Sequence, residues 1–291
     1  MVASVKDNST AIAGTIAGFA VAGGIKKVPD LIINGNLLNG MRKTNLTLSQ
    51  PEKDILEKAT SHLLDLSDVK KHGVKIKHVD EKTVLSISEK LLLTKIDNEL
   101  LPRHIKEMKK EMMCPTYAVQ KGNNAFFNMH TNNIIYNKNK MPLAVFHEVG
   151  HAQNKFQSKL GNVLQFLRRQ PKAGLRSALL ISSLAIIMPS KTEQQLQKPS
   201  KGDKLVSMFR DNAGIISAAM FTPAVIEEAM ATQKGNKLAK KLLNPELFKK
   251  VKHVNNLGFM TYLMAPIAIG VGTFLGVKAK DKIIANSLNK K

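Results

Sequence analysis

The segment from Val254 to Val277 carries no charged side chain, and a run of that length leaves few places for a chain to put it. It is long enough to cross a bilayer, which takes roughly 20 apolar residues, although Pro266 and several glycines should kink a helix there. Three shorter stretches share the property: Asn8 to Ile25, Ser177 to Ser190 and Asn212 to Ile226. The first sets Gly14 and Gly18 at the spacing that lets two helices approach closely, and it stops at Lys26-Lys27. The other two are short of a full span unless Arg176 or Arg210 snorkels to the interface, so each fits a buried core helix, a membrane-dipping hairpin or a crossing. Ala20-Val21-Ala22 has the small-residue pattern of a cleavage site. The leading segment carries only Lys6, offset by Asp7, so a retained anchor or packing helix is the expectation.

Composition narrows the remaining classes. With 43% hydrophobic residues in 291, the chain can bury a sizeable core, which excludes intrinsic disorder. Cys114 is the only cysteine, so neither an intrachain disulfide nor a cysteine zinc finger can form. Lys and Arg number 44 against 22 Asp and Glu, a formal charge of +22. A solvated lysine surface accounts for part of it, and attraction to an anionic membrane face is the better functional reading beside the long uncharged stretches. Arg is scarce, Trp is absent and aromatics are 5%, so no specific nucleic-acid partner is expected.

Between Pro51 and Lys159 the composition is that of a mixed soluble domain. Ile55, Leu56, Ala59, Leu63 and Leu64 at helical spacing predict a helix over 51–66 with Ser49 as its cap. Val74, Ile76 and Val79, then Val84, Leu85 and Ile87, read as short strands, and Leu91 to Met113 as a helix broken at Pro102. Tyr117 to Val119, Ala125 to Asn128 and Ile134 to Tyr136 read as strands, separated by Gly122-Asn123 and by Thr131-Asn132-Asn133. A helix opens near Pro142.

That helix holds His147-Glu148-Val149-Gly150-His151. Positions four apart share a face, so both imidazoles can reach one ion while Glu148 points toward a water on it. Neutral imidazoles suit Zn²⁺, and a carboxylate can take the water's proton as it attacks a polarised carbonyl. Val149 and Gly150 are uncharged, as a buried metal-binding helix requires. A catalytic zinc keeps three protein ligands, and the remaining histidines form no second helical pair. Glu227 and Glu228 end an apolar segment; Glu228 is favoured because Ala231, three residues on, keeps a small side chain on its face. Glu227 is the reserve, and a solvated helix-end carboxylate is its simpler reading.

These pieces together resemble the membrane gluzincins that include the HtpX heat-shock proteases and the CAAX prenyl proteases. The shared order is Asn124-Ala125-Phe126, the Ile134-Ile135-Tyr136 strand, the HEVGH helix, two apolar helices, and a Glu-x-x-Ala element at Glu228 to Ala231. The resemblance covers 123–231. It implies that His147, His151 and Glu228 bind Zn²⁺, that Glu148 is the catalytic base, and that the strand at 134–136 docks an extended protein or peptide substrate by β-augmentation. One departure stands out: the family commonly has Asp after that Ala, as partner to a zinc-bound histidine, and this chain has Thr232. No convincing transition-state stabiliser is evident; His253, directly after the run Lys249 to Lys252, is a nominal candidate that reads more simply as a surface histidine.

The expected fold is α+β: an apolar N-terminal helix over 1–28, a zincin-like catalytic domain over 44–252 that includes apolar helices at 174–190 and 212–226, and an apolar helix with a basic tail over 254–291. If both internal apolar helices cross or both dip, Glu228 returns to the side of the HEVGH helix. The basic segments Lys26 to Lys172 and Lys234 to Lys252 then share that side, which the positive-inside tendency assigns to the cytoplasm. The expected activity is a zinc metalloendopeptidase at the cytoplasmic membrane, with membrane lipid as a partner. A soluble gluzincin acting on a regulatory protein, and an inactive membrane-binding descendant, are the alternatives.

Overall fold

The structure, a computed structural model, describes residues 10–24, 36–170, 174–190 and 200–288. Lys26, Lys27 and Lys172, together with the ends of the 1–28 and 254–291 segments, lie outside them. In chain order the helices are α1 (Thr10–Gly24), α2 (Leu38–Leu46), α3 (Gln50–Leu66), α4 (Ile87–Asp97), α5 (Arg103–Met113) and α6 (Pro115–Lys121). After the sheet come α7 (Val145–Gln157), α8 (Lys159–Arg168), α9 (Leu175–Ile187), α10 (Lys201–Ala219), α11 (Thr222–Leu242) and α12 (Pro245–Leu288). The strands are β1 (Lys75–His78), β2 (Phe126–Asn128) and β3 (Asn133–Tyr136). The described residues are thus mostly helical, with one small three-stranded sheet among them, ordered β1-β3-β2.

The described chain divides into two compact units. One comprises Asn36–Gln165 and Ile226–Met260. In it α3 begins as its cap predicts, with the Ser49 backbone N–H donating to the Glu52 carboxylate at 2.9 Å. β3 pairs in parallel with β1, Ile134 opposite Ile76, and antiparallel with β2, Phe127 opposite Ile134. The parallel pair needs a crossover, and α4 to α6 lie within it. Leu56 and Leu63 from α3, Ile134 from β3, Phe146 and Val149 from α7, and Leu247 and Val251 from α12 close a single core.

Three local expectations are corrected. Val84, Leu85 and Ile87 form no strand: Ser86 caps α4, its hydroxyl accepting from the Glu89 N–H at 3.3 Å while its own N–H donates to the Glu89 carboxylate at 3.0 Å. This reciprocal cap outweighs the β-propensity of the apolar residues around it. Tyr117 to Val119 are helical in α6, which opens on Pro115 and ends at Gly122 with φ 76°. The uncharged stretch 212–226 is two helices, because α10 stops at Ala219 and α11 starts at Thr222, with Pro223 in its first turn. Through Pro266, α12 is helical without a break.

The other unit comprises Met1–Gly35, Phe166–Val225 and Thr261–Lys291, and its described part is helical. Its helices meet at glycines. A Cβ on Gly18 of α1 would lie 2.8 Å from the Gly276 carbonyl of α12, and one on Gly214 of α10 would lie 2.6 Å from the Gly270 carbonyl. Hydroxyls of Ser182, Ser217 and Thr273 cluster between α9, α10 and α12. Arg210 bridges the Ala185 carbonyl and Asp281, while Lys280 donates to the carbonyls of Ile187 and Met188 at 3.1 and 2.8 Å, so two cations close the C-terminal end of α9. The helical run Lys201–Leu242, interrupted only at Met220-Phe221, and the run Pro245–Ser287 are long and apolar enough to cross a membrane; α1 and α9 are shorter apolar helices.

Candidate metal centre

The site is assembled from two helices with nothing between them. α7 begins after a 3-10 turn at Pro142–Ala144, where the Leu143 N–H donates to the buried Asn45 amide oxygen at 3.0 Å, and this fixes where the helix enters the core. α7 and α11 then approach at glycines. A Cβ on Gly150 would sit 2.1 Å from the Ala231 carbonyl oxygen, and one on Gly235 would sit 2.6 Å from the Phe146 carbonyl oxygen. Only glycine permits that proximity, and it brings Glu228 of α11 onto the face of α7 that carries both histidines.

There, His147 Nε2 lies 3.0 Å from His151 Nε2 and 3.0 Å from Glu228 Oε2, and His151 Nε2 lies 3.5 Å from the same oxygen. Three lone-pair atoms so close repel one another unless a proton or a cation lies among them. Tetrahedral zinc with bonds of 2.0–2.1 Å holds its ligand atoms about 3.3 Å apart, so the observed spacing fits such an ion. His147, His151 and Glu228 form a cluster that could hold a metal ion.

Outside this cluster, each ring has an acceptor at its other nitrogen. Thr232 Oγ1 is 3.3 Å from His147 Nδ1, and Glu227 Oε1 is 2.8 Å from His151 Nδ1. The Glu227 carboxylate at Nδ1 selects, for His151, the tautomer that leaves the Nε2 lone pair facing inward, and the Thr232 hydroxyl can accept from His147 in the same sense. Thr232, the residue after Ala231, is therefore the polar group behind His147. Glu227 is not the solvated carboxylate expected: it is fully buried, and the same oxygen accepts from the Asn154 amide at 3.0 Å and the Gln165 amide at 2.8 Å. Its place is behind His151, away from the Nε2 atoms, because adjacent residues on a helix point about 100° apart.

Burial alone would lower the pKa of His151, but the Glu228 and Glu227 carboxylates raise it well above the ordinary 6.5. Glu148 is almost wholly buried, which pushes its carboxyl upward; the two histidines and a backbone hydrogen bond from Phe127 oppose that shift. Phe127 lies in β2, so the edge of the sheet runs beside Glu148. The expectation that 134–136 receives a substrate strand is corrected: β3 is the middle strand, and β1 and β2 already occupy its two edges. His253 is exposed on α12.

Several contributing residues were not evident from the sequence. Asn154 had a usable signal, since it follows His151 by three and so shares its face. Gln165, Asn45 and the Phe127 N–H had none, because each acts through a long-range contact. Comparison of the chain with protein-family models, curated proteins and solved structures finds no match.

Proposed function

We propose that this chain is a zinc-dependent metalloendopeptidase of gluzincin type that cleaves protein or peptide substrates at a membrane. The observation that carries the reading is the meeting of His147 Nε2, His151 Nε2 and Glu228 Oε2 within 3.0–3.5 Å, across 81 positions of sequence, with an acceptor behind each ring. Two imidazoles and one carboxylate are the ligand set of a hydrolytic zinc, which has an open position for chemistry. A bound zinc polarises a peptide carbonyl and acidifies a water molecule.

The chain's own groups supply the rest. His147, His151 and Glu228 give lone pairs, and Thr232 and Glu227 hold the two rings in orientation. Glu148 takes the proton from water as its oxygen adds to the carbonyl carbon, then delivers that proton to the amide nitrogen as the C–N bond breaks. Its burial keeps competing water away from the carboxylate. An extended substrate pairs along β2, whose outer edge lies beside Glu148, rather than along β3. The two long apolar helical runs support work at a membrane, and the cytoplasmic side is proposed for the active site from the lysine-rich segments that flank the apolar stretches. Glu148→Gln should retain the metal and lose peptide hydrolysis by about 10²-fold or more; equal cleavage by wild type and variant would discard the mechanism.

A further inference from the structure

Away from the metal centre, the α4–α5 pair presents an apolar surface that the proposed chemistry does not use. The loop 98–102 that joins the two helices carries Leu100, fully exposed, and Leu101, exposed beside it. From there Leu101, Ile105, Met108 and Met112 continue along α5 at helical spacing, all exposed, and Leu91 stands exposed on α4. Isolated surface leucines are ordinary, but a stripe ending in an exposed pair marks an interaction surface.

The charges around that tip say what it meets. Asp97 and Glu99, the carboxylates nearest the loop, are neutralised from within by Lys110 at 2.7 Å and Lys109 at 2.5 Å. Lys95 and Arg103 are exposed and make no ion pair among the described residues, and His104 is exposed next to them. An apolar tip ringed by cations complements a bilayer surface rich in anionic headgroups, where the stems of Lys and Arg lie along the acyl boundary and their charged heads reach phosphate. We propose that the α4–α5 pair is a lipid-docking element that inserts Leu100 and Leu101 into the boundary region of an anionic bilayer. It gives the unit that holds the metal cluster a membrane contact of its own, and it depends on none of the metal chemistry.

The chain has no tryptophan, so Leu100→Trp introduces a single emitter, and Lys58→Trp, at an exposed position on α3, is the control. Each full-length protein is placed with vesicles of phosphatidylcholine and phosphatidylglycerol whose acyl chains are brominated near the headgroup. The indole at position 100 should shift to the blue and be quenched several-fold more than the control, with Leu101→Trp behaving alike. Adding Lys95→Gln or Arg103→Gln should lower the docked-to-free ratio roughly fivefold per residue. Quenching by aqueous iodide undiminished by vesicles would overturn the proposal. Shielding from iodide without quenching by brominated lipid would overturn it too, since a protein partner or a second copy would then cover the tip. Neither outcome bears on whether Glu148→Gln abolishes hydrolysis.

Discussion

Thr232 sets how firmly His147 can hold an ion, because its hydroxyl is what stands 3.3 Å behind that ring. Thr232→Val keeps the shape and removes the acceptor, and should weaken zinc binding 10- to 100-fold in a chelator competition. Thr232→Asp, a stronger acceptor, should bind zinc at least as tightly as wild type. His151 makes a second prediction with a definite sign. Its pKa is raised in the metal-free protein, so its ion pairing with Glu227 and Glu228 is fully present below the ordinary 6.5 and is lost as pH rises through the raised value. Metal-free protein should therefore lose thermal stability as the pH rises above the ordinary imidazole value. With zinc bound, protons compete for the same nitrogens, and stability should instead fall on acidification. Melting curves in chelator and in zinc that slope the same way with pH would contradict this assignment. The histidine pair was legible in the sequence because a four-residue spacing fixes a shared helix face whatever the rest of the chain does. The choice between Glu227 and Glu228 was not, since only the position of α7 decides which of two adjacent carboxylates meets the Nε2 atoms and which the Nδ1.

At the scale of elements, the α7–α11 crossing makes the cluster possible. Gly150→Ala would drive a methyl group to 2.1 Å from the Ala231 carbonyl. Backbone rather than a flexible side-chain tip must yield, so the substitution should cost about 3 kcal/mol or more in denaturant unfolding. The refolded protein should retain less zinc than wild type. Gly258→Ala is the control, for its nearest neighbour is the Met41 methyl at 3.7 Å, an ordinary contact. The sequence marked Gly150 only as an uncharged neighbour of the histidines; its crossing partner is some eighty positions away and carries no local signal. The short elements show the opposite case. Val84 to Ile87 and Tyr117 to Val119 look β-like by composition, yet the Ser86–Glu89 cap and the Pro115–Gly122 bracket settle them as helix. Those signals were present in the sequence and outrank the side-chain preferences they flank. Where strands were read correctly, at 75–78, 126–128 and 133–136, their order in the sheet was not readable, and it is the order that puts β3 in the middle and leaves β1 and β2 as the edge strands.

For the whole molecule, the apolar helices and the metal cluster make separable demands. The close glycine contacts of α1, α10 and α12 and the cations at the end of α9 match helices that pack against each other while leaving leucine and isoleucine side chains exposed on their outer faces. The protein should accordingly remain in the membrane pellet after a carbonate wash. Recovery in the supernatant would favour the soluble gluzincin and leave the cluster untouched. The central claim, that one ion is gripped between a turn of α7 and Glu228, is tested most directly by metal analysis of the wild type after dialysis against zinc, beside His147→Ala and Glu228→Ala. The account predicts about one zinc per wild-type chain and a large loss of bound zinc in both variants, with folded helix content retained. Wild type without zinc, or variants that hold as much as wild type, would contradict it.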